Sequence, residues 1–173
     1  MNTQNDASMF IGEGFVGEGV NAAHVNIMLG PKSGPVGQAF VNALAMPRQG
    51  HCPFMVIIKP GVPVKPATVY ANKAEISGDL HGNATWGASQ AGIAKAITEA
   101  LLEGTLPKES ENNWSIVVAP WVNPSCDDLD AIFKNNYEAT QTAIKNAMSS
   151  NSEIDKLKVA LSQLGNPFYQ PKS

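Results

Sequence analysis

Residues 24–29, HVNIML, alternate strictly: Val25, Ile27 and Leu29 are aliphatic, whereas His24, Asn26 and Met28 fall between them. Successive side chains on a strand point to opposite faces, so this period of two predicts a strand. One of its faces belongs in a core, and the other offers an imidazole and an amide to whatever lies above it. A strand of this kind needs a sheet around it and a cover over its aliphatic side, and the rest of the chain provides both.

The turn GPKSGP follows, and then PVGQAFVNALA places Val36, Phe40, Val41 and Leu44 at helical spacing, with Pro35 suited to the first helical position. MFIGEGFVGEG, before the strand, reads as a glycine-punctuated edge strand. PFMVIIKP, an apolar run between prolines, reads as a buried central strand. ATVYANKAEI alternates again, with Lys73 and Glu75 on one face. SGDLHGNATWG reads as a polar loop before the helix ASQAGIAKAITEALLEG, whose stripe is Ile93, Ile97 and Leu101 and whose stop is Gly104. WSIVVAPWV predicts a strand. DDLDAIFKNNYEATQTAIKNAM predicts the longest helix, with Leu129, Ile132, Phe133, Tyr137, Ile144 and Met148 on its stripe. Residues 1–8 read as a polar tail, 9–150 as one α/β domain without repeat or linker, and 151–173 as a polar extension of it with a short helix.

A chain of 173 residues with 43% hydrophobic and 16% charged residues can bury a substantial core. The net charge of -3 and the scatter of its twelve Lys and Arg argue against nucleic acid. No apolar run approaches the roughly 20 residues that span a bilayer, and MNTQNDASMF lacks the features of a secretory signal. Cys52 and Cys126 stand far apart with no CxxC, which places reduced thiols in a cytoplasm.

GEGFVG matches the dinucleotide fingerprint G-x-G-x-x-G in letters alone. A Rossmann turn opens a helix, whereas a strand follows here, and Glu13 and Glu18 would repel phosphate. His24, His51 and His81 show no metal-ligand spacing, and no G-x-S-x-G marks a hydrolase. What remains is a set of polar side chains in apolar settings. Asn26 shares a strand face with His24, Lys73 and Glu75 repeat the same spacing, and Gln90 falls on the apolar stripe of its helix. Were those strands neighbours, imidazole, amide, ammonium and carboxylate would line one cleft suited to proton transfer on a small polar substrate.

In the same order along residues 10 to 150 stand GEGFVGEG, AHVNIMLGP, PVKPAT leading to NK, QAGIAKAI with EG beyond, and NNYEAT. Together they resemble the formaldehyde-activating enzymes, the tetrahydromethanopterin hydro-lyases. The resemblance implies condensation of formaldehyde with the co-substrate tetrahydromethanopterin, with no bound metal or prosthetic group. It also implies a two-layer α/β sandwich, a mixed sheet with helices packed on one face, assembled as a homopentamer with sites at subunit contacts. A cytoplasmic role in one-carbon metabolism and formaldehyde detoxification goes with it. The family's proton-donating histidine falls on His24, and its pterin-contacting positions on Asn26, Met55, Lys73, Glu75 and Gln90.

Three positions depart from the family. Asn26 replaces an aspartate, Glu75 a threonine, and Ala91 a histidine. Loss of a carboxylate beside His24 removes a charge that favours the imidazolium. Glu75 is expected to restore that charge or else to pair with Lys73. The departures leave two other readings: a pterin- or formaldehyde-binding protein without catalysis, and an enzyme joining an aldehyde to a different amine.

Overall fold

The computed structural model describes residues 9–149 and 154–172; the expected tail, residues 1–8, lies outside them. The strands are β1 (Phe10–Val16), β2 (Ala23–Pro31), β3 (Phe54–Met55), β4 (Ile57–Lys59), β5 (Val62–Pro63), β6 (Ala67–Tyr70) and β7 (Trp114–Trp121). The helices are α1 (Pro35–Ala45), α2 (Gly78–Asn83), α3 (Gln90–Leu102), α4 (Ser110–Asn113), α5 (Leu129–Ser149) and α6 (Ile154–Leu161). A mixed five-stranded sheet has the order β1-β2-β7-β6-β3, and β4 and β5 form a separate hairpin. β2 pairs antiparallel with β1 and β7, and β7 runs parallel to β6.

The alternation in β2 is realised in full: Val25, Ile27 and Leu29 are completely buried, while His24, Asn26 and Met28 are partly open. The buried side joins Ile116, Val118, Ile93, Ile97, Ala139, Ala143 and Ile144 in the main core. Helix α5 packs on β1 and β2 and α3 packs on α5, while α1 packs on β7, β2 and β6. Val69 and Val117 are buried on the face opposite that core, so α1 is what covers them.

β1 lies against α5 at unusually short range. Ala139, Ala143 and Ala147 recur every four residues and present one small-residue face, and Gly12 and Gly14 of β1 rest on it. A Cβ on Gly12 would come 1.9 Å from the Ala143 carbonyl oxygen, and one on Gly14 2.1 Å from that of Ala139. The glycines of GEGFVG are therefore helix-packing residues. Because they point inward, Glu13 between them points to the opposite, open face.

Several expectations are corrected. PFMVIIKP is no central strand: β3 is two residues at the sheet edge, after which Ile57–Lys59 leaves to pair with β5. Of its apolar residues, Val56 is buried in the main core with Phe54 packed against it, Met55 and Ile57 line the edge cleft described below, and Ile58 is exposed. β6 ends at Tyr70, so Lys73 and Glu75 do not share a strand face. The backbone stays tied to β7 through Ala71 N–H to Val118 O and Lys73 N–H to Pro120 O. Asn72 then turns it, accepting from Cys52 N–H and donating to Ala74 O. Val41 and Leu44 of α1 and Leu129 of α5 are exposed, although helical spacing assigned them to the core.

SGDLHGNATWG is helical, not a loop: α2 and a π-helical turn, Ala84–Ser89, lead directly into α3. Its buried stripe is polar, His81, Thr85 and Ser89 at intervals of four, so no apolar period marks it. Each end of the stripe is hydrogen-bonded. His81 accepts from Ser77 N–H at Nδ1 and donates to Val122 O from Nε2. Tyr70 O–H donates to Ser89 Oγ, whose own proton goes to Asn136 Oδ1 of α5.

Candidate active site

On the open face of the sheet, Phe15 of β1 stands opposite His24 and Glu13 opposite Asn26; Trp121 and Ala119 stand opposite the same pair on β7. A long side chain reaches its diagonal neighbour in such a ladder. Glu13 does so: its Oε1 lies 3.0 Å from His24 Nε2, with the imidazole side chain 36% exposed. Phe15 tilts against the imidazole at 6.0 Å between centroids, and Phe168 from the C-terminal segment meets Phe15 edge-on at 5.4 Å.

Lys73 arrives from the segment beyond β6 and donates from Nζ to Asn26 Oδ1. Partial burial lowers its ammonium pKa, and the nearby Glu13 charge works in the other direction. His24, Asn26, Lys73 and Glu13 thus form one cluster with imidazole, amide, ammonium and carboxylate, open to solvent on one side.

Met55 and Gln90 form a second group. They line a cleft of about 270 Å³ with Cys52, Phe54, Ile57 and Trp86. Gln90 is nearly buried, and its Oε1 accepts from Ile57 N–H at 2.7 Å, which holds the β4 hairpin to α3. Met55 shares the open sheet face with His24, through the cross-strand row Met28, Val117, Val69, Met55. Two intervening strands, that is three strand spacings, and four residues separate them, roughly 20 Å by strand spacing and rise, with α1 packed on the strands between.

Glu75 joins neither group. Its side chain lies against Gly50, where an added Cβ would come 2.2 Å from Glu75 Cγ. Among the described residues no ion pair links Glu75 to His24 or Lys73, so it does not restore the missing charge. Glu13 occupies that place instead. In the sequence Glu13 counts only as a charge that would repel phosphate; the signal that places it beside His24 is its position between two inward glycines on a strand. Ala91 is exposed on α3, one residue beyond Gln90.

The family model described as formaldehyde-activating enzyme (Fae) matches residues 11–169. The 5,6,7,8-tetrahydromethanopterin hydro-lyase of Methanosarcina barkeri is 33% identical over 95% of this chain and 93% of its own length. Two proteins named bifunctional enzyme Fae/Hps are also similar. That of Methanococcoides burtonii is 37% identical over 85% of this chain, and that of Archaeoglobus fulgidus 35% over 91%. The chain spans only 37% and 40% of the lengths of these two. With a family match across nearly all of its residues, the chain belongs to the formaldehyde-activating enzyme family.

Proposed function

We propose that this protein condenses formaldehyde with tetrahydromethanopterin to give methylene-tetrahydromethanopterin and water, with His24 as the proton donor. The observation that carries this reading is a partly open imidazole on a strand whose other face is aliphatic and buried, beside Glu13, Asn26 and Lys73. Attack of one pterin nitrogen on formaldehyde gives a carbinolamine. Its C–O bond breaks as His24 delivers a proton to the departing hydroxyl, which leaves as water. The second nitrogen closes on the resulting iminium carbon, and the proton it sheds returns to the imidazole. Imidazole is suited to both transfers because it exchanges its proton near neutral pH.

Asn26 and Lys73 would bind polar edges of the pterin beside His24. Met55 would supply apolar contact and Gln90 a hydrogen bond from the second cleft, and Glu75 would border the same substrate from the loop at Gly50. Two groups of residues so far apart support sites completed between copies, in a homopentamer of the kind the resemblance implies. Exposed Ile11, Val41, Trp86 and Leu102 support burial against such a neighbour. Free Cys52 and Cys126 support a reducing, cytoplasmic setting, where the reaction would feed one-carbon oxidation and remove formaldehyde. Among the described residues no helix is long and apolar enough to cross a membrane.

The deciding experiment measures methylene-tetrahydromethanopterin formation against the spontaneous rate. Wild type is expected to exceed background, and His24→Ala to lose at least about tenfold of the enzymatic rate, a threshold set below the roughly hundredfold or more that a general acid typically supplies. Saturable pterin binding without acceleration would replace the enzyme by a binding protein. Neither rate nor binding would direct the search to other amines.

A further inference from the structure

We infer that Glu13 is a positioning residue for His24, fixing which imidazole nitrogen faces the substrate. The inference rests on the reading of His24 as proton donor, and it comes from three features of β1. The helix backbone leaves no room for side chains at positions 12 and 14, so residue 13 must face the open side. The carbonyl of Glu13 is held by Asn146 Nδ2 of α5 at 2.8 Å, which fixes the strand at that residue. The carboxylate then spans the diagonal to His24 Nε2 at 3.0 Å.

An ionised carboxylate only accepts hydrogen bonds. Nε2 opposite it must carry a hydrogen in both protonation states, so Nδ1 is the nitrogen that gives and recovers the substrate proton. The charged and polar groups around the ring agree with this division. Lys73, the nearby cation, donates to Asn26 Oδ1 and feels the Glu13 charge, while the direct contact of the Glu13 carboxylate is with the imidazole. Phe15 lies against the ring from the β1 side, and Phe168 backs Phe15. Holding the ring in one orientation and one tautomer is the service that a carboxylate gives a catalytic histidine on unrelated folds. In this chain the carboxylate comes from the neighbouring strand, position 26 of the histidine's own strand being an amide.

Full-length Glu13→Ala and Glu13→Gln proteins test the inference in two ways. In wild type, a downfield imidazole proton correlated with the Nε2 nitrogen of His24 is expected at low temperature, shielded from exchange by its acceptor. Glu13→Ala should lose that signal, and Glu13→Gln, which keeps an acceptor oxygen, should retain it. In turnover, Glu13→Ala should lower kcat by roughly tenfold to a hundredfold with KM within about threefold, and Glu13→Gln should recover most of the loss. Persistence of the Nε2 proton in Glu13→Ala, or a kcat within twofold of wild type, overturns the assignment. Should wild type fail to accelerate the reaction, the reading of the function falls, and the ring-proton comparison alone then decides whether Glu13 orients His24.

Discussion

At the scale of single residues, position 13 shows what a glycine, glutamate, glycine run can do on a strand. The letters match a phosphate-binding fingerprint, but the two glycines let the strand lie on the alanine face of α5 and turn Glu13 to the open side. Replacing Gly12 or Gly14 by alanine is expected to cost about 3 kcal/mol each, at the upper end of overpacking effects, since the obstructing atoms are backbone. A lowered urea midpoint at unchanged slope would register this. The same replacements should disturb turnover beyond the loss of stability, because Glu13 rides on that strand. His24 and Asn26 were legible from alternation alone, and Gln90 from its misplaced polarity. Glu75 was not, because its neighbour is a loop around Gly50 that no spacing rule reveals.

Among elements, legibility followed the chemistry of what each one buries. β2, β7, α3 and the long α5 bury hydrocarbon and were readable as periodicity. The stretch from 77 to 87 buries the polar His81 and Thr85, in line with Ser89 at the start of the next predicted helix, and so carries no apolar period to mark it as helical. Its place is set by the chain from Tyr70 through Ser89 to Asn136, which joins β6, the π-helical turn and α5. Burial raises the Tyr70 pKa well above its ordinary value of 10.0, with the Ser89 hydrogen bond acting against that shift. A group whose folded pKa is raised contributes stability that is intact below the unfolded pKa. Above pH 10.0 the unfolded chain ionises first, and the contribution is lost as pH climbs through the folded value. Tyr70→Phe should therefore show a shallower fall in stability above that pH than wild type. Near neutrality it should be about 1 kcal/mol less stable, the size of a typical hydrogen bond. Denaturant midpoints compared across the alkaline range would check both.

For the whole molecule, the separation of the His24 cluster from the Met55–Gln90 cleft has a consequence for assembly. If each site takes His24 from one copy and Met55 from its neighbour, two inactive variants can repair each other. Coexpressed His24→Ala and Met55→Glu chains should recover about a quarter of wild-type activity per site by random mixing in a closed ring. Separately purified variants should recover none, and failure of the coexpressed mixture would place the whole site within one copy. The sequence disclosed the fold class and brought forward His24, Asn26, Lys73, Met55 and Gln90 as candidates, but neither Glu13 nor the gap between the two groups, since strand order depends on long-range pairing: β7, late in the chain, inserts beside β2. The contact of β1 with α5 carries a last implication. At Gly12 and Gly14 backbone rests on backbone, so at those two positions no side chain lies between helix and strand that could change rotamer and absorb a shift. A displacement of α5 at these positions would have to carry β1 with it, and Glu13 along with the strand.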